Sequence, residues 1–357
     1  MKRILTLAAA AVCALTIAVQ PAAAASFPDV PKANRFNDEI QYLTGQKIIS
    51  GYTNGSFQPK KNVSRAEAAI MIGRMLDLNG AKRNTKFKDV NAQNGASGYI
   101  AAATEKGIIS GYKDGTFRPN QSISRGDMAI IMSRAFGIET GTVHEFKDIS
   151  DNMKSYQAIR SIAGDYITTG YADGTFRPNG SVTREQFSAF LARGMSPVYK
   201  QRTVNKDGYM PDMTKKYVYA TNQGDLTMEY KKTKGQFAEL TYTGFFWVGE
   251  RPATKEVYYI HIEETDKMLV TAYPFSEYYT DLVYPVKTGT TWQNGPADAD
   301  IAKITGVNKT VKTQYKTFTN AVEVTEKGTK SYYVKGIGLV LSVDSAGKAQ
   351  RNLKAIK

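Results

Sequence analysis

Between Phe27 and about Gly194 the apolar residues fall at helical spacing, in short blocks parted by polar, glycine-bearing turns. Ile40 with Leu43, Tyr99 with Ala102 and Ala103, and Ile159 with Ile162 and Ala163 each mark a first helix. A second, more apolar helix follows in every block. In the first block Ala66, Ala69, Ile70 and Gly73 form one stripe while Ala68, Met71, Ile72 and Met75 fill another. In the third, Phe187, Phe190 and Leu191 take the latter positions. A helix apolar on most sides belongs in a core, so the three second helices are expected to bundle centrally, with first helices and turns radiating outward. Past about Met195 the period shifts to two. Tyr217-Val218-Tyr219, Leu226 to Tyr230, Val257 to Ile262, Met268 to Tyr273, Phe318 to Val324 and Leu339 to Val343 are short alternating runs. Such runs predict an antiparallel curved sheet. The expected fold is therefore multidomain: an all-α pseudo-threefold array of three helix-loop-helix repeats, then an all-β antiparallel sandwich or barrel-like domain.

The three blocks are copies of one unit. Ser50-Gly51-Tyr52-Thr53-Asn54-Gly55-Ser56-Phe57-Gln58-Pro59 returns as Ser110-Gly111-Tyr112-Lys113-Asp114-Gly115-Thr116-Phe117-Arg118-Pro119 and again from Thr169 to Pro178. Gly51, Gly111 and Gly170 are separated by 60 and 59 residues, and so are Arg65, Arg125 and Arg184. Each unit opens on an aromatic-x-Asp step, at Phe27 to Asp29, Phe87 to Asp89 and Phe146 to Asp148. Asn54-Gly55, Asp114-Gly115 and Asp173-Gly174 are tight-turn signals. The second helices begin at Ser64, Ser124 and Thr183, and the pairs Ser64 with Glu67 and Thr183 with Gln186 predict capping boxes. Asp127 is shorter and fits that role less well. Gly107 suits a left-handed helix end, whereas Lys47 and Tyr166 stand there in the other copies, whose helix ends are expected to be less comfortable or differently shaped.

Directly after each cap stands an arginine: Arg65, Arg125 or Arg184. A cation in the first helical turn opposes the helix dipole, at a cost of about 0.3–1 kcal/mol when exposed. One reading lays each arginine over apolar surface or beside a carboxylate. The other, favoured by the threefold recurrence, is an anion pocket in which arginine and free helix N–H groups address one negative group.

Composition narrows the classes. The chain has 357 residues, 42% of them hydrophobic, enough for packed cores in more than one region. Lys2 and Arg3, the apolar run from Ile4 to Val19 and Ala22 to Ala25 read as an export signal, residues 1–25, with a retained anchor helix as the alternative. The one cysteine, Cys13, lies inside it, so neither disulfides nor thiol chemistry is expected after cleavage. Without Lys2 and Arg3, 45 basic residues against 33 acidic ones leave +12, spread along the chain. A basic exported protein meets anionic wall polymers before nucleic acid, and no nucleic-acid partner is expected. His144 and His261 are the only histidines and lie far apart, so neither a metal site nor a Ser-His-acid triad is expected, and no cofactor.

The Phe-x-Asp openings, the Gly-Tyr-x-Asp-Gly-Thr-Phe-x-Pro turns and the Ser/Thr-Arg starts resemble S-layer homology domains, from Phe27 to about Gly194. The resemblance implies a three-pronged array that holds exported proteins non-covalently to secondary cell-wall polysaccharide carrying pyruvylated amino sugars. It places the ligand in grooves between neighbouring repeats. Arg65, Arg125 and Arg184 would grip the carboxylate, Gly51, Gly111 and Gly170 would let the backbone approach, and Asp29, Asp89 and Asp148 would shape the sugar side. The aspartates read equally well as caps. The copies differ, with Asn54 and Gln58 in the first, Gly126-Asp127 in the second and Glu185-Gln186 in the third, so the three pockets need not be equally active.

The expected boundaries are repeats at 26–78, 86–138 and 145–194, a linker at 195–213 and a β-rich domain at 214–357. Gly289 to Trp292, Phe318 to Val324 and Tyr332 to Val340 make that domain similar to an uncharacterised β-rich domain of exported bacterial proteins. Gly336 and Gly338 suit a turn or bulge. Glu263-Glu264-Asp266 and Glu323 with Glu326 could hold a glycosidase pair, but carboxylates at strand ends are usually solvated. The leading expectation is a non-catalytic bacterial surface protein, anchored in the cell wall or S-layer by its repeats and displaying the β domain. Lateral self-assembly is compatible with it. The alternative is a wall-active hydrolase with its active site in the β domain.

Overall fold

The computed structural model describes residues 27–138, 142–237, 240–273, 278–294 and 301–357; the expected export signal lies outside them. No helix among the described residues is long and apolar enough to cross a membrane.

The repeats contribute six helices in three pairs: α1 (Asn37–Gly45) and α2 (Arg65–Met75), α3 (Ser97–Glu105) and α4 (Arg125–Phe136), α5 (Tyr156–Gly164) and α6 (Arg184–Met195). The array is not all-α as expected. Residues 46–64, 106–124 and 165–183, between the helices of each pair, contain no helix. Their turns need left-handed residues that no helix accepts: Lys47, Gly107 and Tyr166 at the first helix ends have φ of 59°, 69° and 57°. Gln58, Arg118 and Arg177 follow at 58°, 58° and 60°.

Nor do the second helices form the central bundle. The middle is a ring of extended backbone in which Ile123 N–H donates to Val63 O (2.9 Å), Val63 N–H to Val182 O (2.9 Å), and Val182 N–H to Ile123 O (3.3 Å). The three side chains are fully buried. Around that ring α2 packs on α3, α4 on α5 and α6 on α1, so each second helix covers the first helix of the next repeat. Both capping boxes form, at Ser64 with Glu67 and Thr183 with Gln186, while Ser124 accepts from the Asp127 amide without a reciprocal bond.

After the array a short helix, α7 (Pro197–Gln201), leads to twelve antiparallel strands. They are β1 (Lys216–Thr221), β2 (Gly224–Phe237), β3 (Leu240–Arg251), β4 (Glu256–Glu264), β5 (Met268–Ala272) and β6 (Tyr278–Val283), then β7 (Thr291–Gln293), β8 (Ile301–Lys312), β9 (Thr317–Glu326), β10 (Thr329–Val334), β11 (Gly338–Val343) and β12 (Ala349–Ile356). The pairing order runs from β6 down to β1, then from β12 down to β7. The end strands meet through side chains. Trp292 Nε1 and Asn294 Nδ2 each donate to Thr280 O at 2.9 Å, and Thr280 N–H returns to Asn294 Oδ1 at 2.8 Å. The sheet is thus a nearly closed barrel, which leaves little edge to pair with another chain. Gly336 and Gly338 take φ of 68° and 76° in the β10–β11 turn.

The barrel is docked on the third repeat. Tyr166 joins the barrel core, and its hydroxyl oxygen accepts from Glu264 N–H at 2.7 Å. Lys200 is fully buried, donates to the backbone oxygen of Asp165 at 2.8 Å and to its carboxylate, and lies 4.5 Å from the Phe245 ring centroid. Glu263, 0% exposed, accepts from Thr142 Oγ1 (3.0 Å) and Val143 N–H (2.9 Å) and sits 2.7 Å from His261 Nε2. Glu264 accepts from Tyr209 N–H at 2.6 Å and from the Tyr284 hydroxyl. These carboxylates are therefore not solvated as strand-end acids usually are. As strand neighbours they point to opposite faces, and both are occupied at the joint.

Removing one partner of a buried ion pair strands the other charge. Lys200→Met is expected to cost about 3–5 kcal/mol in urea unfolding of the full chain. Asp165→Asn/Lys200→Met should recover part of that loss. A double variant no more stable than Lys200→Met would mean that the pair is not what holds the joint.

Candidate anion-binding grooves

Each arginine crosses from its own helix to the turn of the following repeat. Arg65 Nε donates to Phe117 O (2.8 Å) and Nη2 to Ser110 O (2.6 Å). Arg184 repeats this onto the first unit, with Phe57 O at 2.8 Å and Ser50 O at 3.0 Å. Arg125 Nε donates to Phe176 O at 2.7 Å, and among the described residues no second backbone acceptor holds its outer nitrogens. All three are buried, at 6%, 6% and 4% exposure, over aromatic rings: Arg65 over Tyr112 and Phe117, Arg184 over Tyr52 and Phe57, Arg125 over Tyr171 and Phe176.

The helix N–H groups beside them are not free. Arg65 and Ala66 N–H donate to Gln121 O and Pro119 O, Arg125 and Gly126 N–H to Gly180 O and Pro178 O, and Arg184 and Glu185 N–H to Lys61 O and Pro59 O. Carbonyl dipoles of the next repeat thus occupy the place where an anion would meet the helix terminus. They also explain how a cation is tolerated there, since their negative ends offset the dipole it opposes. A ligand charge there must be met by side-chain cations rather than by the helix terminus.

The other candidate residues build the same turns. Asp29 accepts from Phe57 and Gln58 N–H at 2.8 and 2.7 Å, Asp89 from Phe117 and Arg118 at 2.8 and 2.7 Å, and Asp148 from Phe176 and Arg177 at 2.7 Å each. Each carboxylate clamps the residue that enters the left-handed region. A Cβ at Gly51, Gly111 or Gly170 would lie 2.7, 2.2 or 2.4 Å from the ring of Phe27, Phe87 or Phe146, and no more than 2.8 Å from a backbone oxygen. Glycine is thus required by the opening phenylalanine of its own repeat. Gly170 lines a groove together with one of the arginines, Arg125.

That groove has a volume of about 510 Å³. It differs from the others in charge. Beside Arg184, the carboxylate of Glu67 lies 3.7 Å from Nη1 and accepts from the Tyr52 hydroxyl. The residue in the corresponding position at the Arg125 groove is the neutral Gln186. Burial pulls the Arg125 guanidinium below the ordinary arginine range, against the opposing influence of Tyr171 and Asp148. Arg35, Lys60, Arg193 and Arg202 complete the walls, and the repeat motif singles out none of them. A second groove, of about 730 Å³, is lined by Asn62, Glu67, Asn94 and Asn120, without an arginine.

A ring of three interlocked turn-helix units, each passing a buried arginine to the next, defines a pseudo-threefold repeat protein with anion-capable grooves between units. The S-layer homology domain model matches residues 26–69, 86–129 and 145–188. A cellulosome-anchoring protein of Acetivibrio thermocellus is 33% identical over 177 residues, 47% of this chain and 38% of that protein. A surface-layer 125 kDa protein of Lysinibacillus sphaericus is 35% identical over 195 residues, 53% of this chain and 16% of that one. An amylopullulanase of Thermoanaerobacterium thermosulfurigenes shares 33% over 176 residues, 46% of this chain and 9% of the enzyme. The chain spans less than two fifths of each of these relatives. It carries three S-layer homology domains, one per repeat.

The turn clamps carry a pH dependence. Burial works against it, yet the Phe57 and Gln58 amides hold the Asp29 carboxyl below the usual range. The Thr175 hydroxyl and Arg177 bring Asp173 down to about 2. A carboxyl depressed in the folded state stabilises fully above its unfolded pKa, and that stability is lost as pH falls through the folded value. Unfolding monitored from pH 6 to pH 2 should therefore show the array losing stability below about pH 4. Asp173→Asn should weaken the chain at pH 6 and narrow its difference from the parent at pH 2. An unchanged difference would remove Asp173 from the account.

Proposed function

We propose that the three repeats anchor this protein non-covalently to secondary cell-wall polysaccharide carrying pyruvylated amino sugars, and that the barrel is the displayed, non-catalytic part. The chain is a surface protein of the S-layer homology class; the polymer and the absence of catalysis are the further reading. The observation that carries it is Arg125. It is a buried guanidinium whose outer nitrogens have no backbone acceptor among the described residues, over Tyr171 and Phe176, in a groove where the cap partner is neutral Gln186. A pyruvate ketal presents a carboxylate on a sugar ring. Charge-assisted bonds to the guanidinium suit the carboxylate, and the aromatic faces suit the ring.

Within this reading Arg65 and Arg184 serve weaker sites, because both outer and inner nitrogens are already committed to backbone oxygens. Gly51, Gly111 and Gly170 and Asp29, Asp89 and Asp148 act on the ligand by holding the turns that shape the grooves. Of the barrel's candidate acids, Glu263 and Glu264 give no support to a hydrolase, since both are spent on the docking joint.

Full-length protein should sediment with wall sacculi and lose that binding when the polymer lacks pyruvate. Arg125→Gln is expected to weaken sedimentation by about tenfold or more, the loss of one charge-assisted contact. Arg65→Gln should have a smaller effect at equal thermal stability. Undiminished binding to pyruvate-free sacculi would sink the reading.

A further inference from the structure

The walls of the Arg125 groove hold more positive charge than one carboxylate needs. Arg35, Lys60, Arg125, Arg193 and Arg202 line it. Lys60 pairs with Glu185, and Arg202 lies 2.8 Å from Asp38 and 3.6 Å from Glu39. Five cations against these three carboxylates leave an excess of two. Asp148 also acts on Arg125, but its oxygens are taken by the Phe176 and Arg177 amides.

The unpaired charges sit at two places. One is Arg125, whose guanidinium carbon lies 5.5 Å from the Phe190 ring centroid. The other is the pair Arg193 and Arg35. Arg193 stands one turn beyond Phe190 on α6, which puts the two centres on the order of 10 Å apart. Its Nη1 makes one long bond of 3.3 Å to Ile167 O, and its buried Nε has no hydrogen-bond partner among the described residues. Burial pushes its pKa down to about 10, against the pull of the Glu39 carboxylate that Arg202 also shares. Arg35 is exposed, lies over the Phe36 ring at 4.5 Å, and has no carboxylate within ion-pair reach among the described residues. An unpaired, half-desolvated guanidinium is costly unless a ligand supplies the counter-charge. Two such centres in one groove call for two charges.

We propose that this groove takes a ligand bearing two anionic groups, a carboxylate at Arg125 and a second carboxylate or a phosphate at Arg193 and Arg35. The inference rests on the anchoring reading above. Arg202 and Thr203, which belong to the segment leading to the barrel, form part of the same wall. Docking of the barrel therefore helps to shape the second subsite.

Calorimetric titration of the full-length protein tests this with three probes: a pyruvylated N-acetyl amino sugar, the same sugar bearing a phosphate monoester, and the same sugar bearing a second carboxylate. At least one doubly charged probe should bind about tenfold more tightly than the singly charged sugar. Which one does so identifies the second group. Arg35→Gln/Arg193→Gln should erase the gain and leave the singly charged sugar within about twofold. Arg35→Gln alone, at an exposed position, should remove part of the gain without disturbing the fold. Equal affinity for all three probes, or a gain that survives in the double variant, overturns the second subsite while leaving the anchoring reading intact. If no probe binds, or Arg125→Gln leaves every affinity unchanged, the anchoring reading itself has failed and this proposal falls with it.

Discussion

The array depends on a closed cycle of hand-offs between repeats. At the centre Val63, Ile123 and Val182 pass backbone bonds around a ring. One layer out, the first two N–H groups of α2, α4 and α6 donate to carbonyls of the next unit, and the arginines reach further into the same turns. No repeat completes its own backbone pairing. A buried N–H or C=O left without a partner costs roughly 1–3 kcal/mol, so any unit removed from the cycle would strand several at once. Three copies are therefore the smallest closed solution for this geometry, and the near-constant 60- and 59-residue steps keep the cycle in register.

That cycle also explains what was legible in the sequence and what was not. Local devices were readable because their physics spans a few residues: the caps at Ser64 and Thr183, the imperfect partner Asp127, the left-handed end at Gly107. The ends at Lys47 and Tyr166, expected to differ in shape for want of glycine, take the same left-handed conformation. The period-two runs were readable as an antiparallel sheet for the same reason. The central packing was misread. Apolar residues all round α2, α4 and α6 suggested a bundle, yet two partners bury them, the next repeat's first helix and the turns. Hydrophobic pattern reports that a face is buried, not what buries it. The arginine was half legible. Its cost against the dipole was apparent from position alone, whereas the carbonyls that relieve that cost come from residues 52 to 56 positions away in two of the three cases.

The joint between array and barrel was not legible at all. Glu263, Lys200 and Tyr166 meet partners that no local pattern connects, with Thr142 lying 121 residues from Glu263. Polar residues from 196 to 211 resemble a tether, and Arg202, Asn205, Lys206 and Asp207 are indeed exposed, but Lys200 in their midst is fully buried against the joint. For Lys200 a polar side chain reflects a satisfied buried pair with Asp165 rather than solvent exposure.

The asymmetry of the grooves follows from departures that look minor on the page. A capping box works with glutamate or glutamine, and both form here, at Glu67 and Gln186. For helix stability the two are close equivalents. For the arginine next door they are opposites, because Glu67 neutralises Arg184 while Gln186 leaves Arg125 without a carboxylate at that position. A substitution neutral to the fold thereby separates a groove whose arginine is mainly structural from one whose arginine keeps capacity for a ligand. Repeats that must all close one ring are free to differ only where the ring does not depend on them, and the third position of the second helix is such a place.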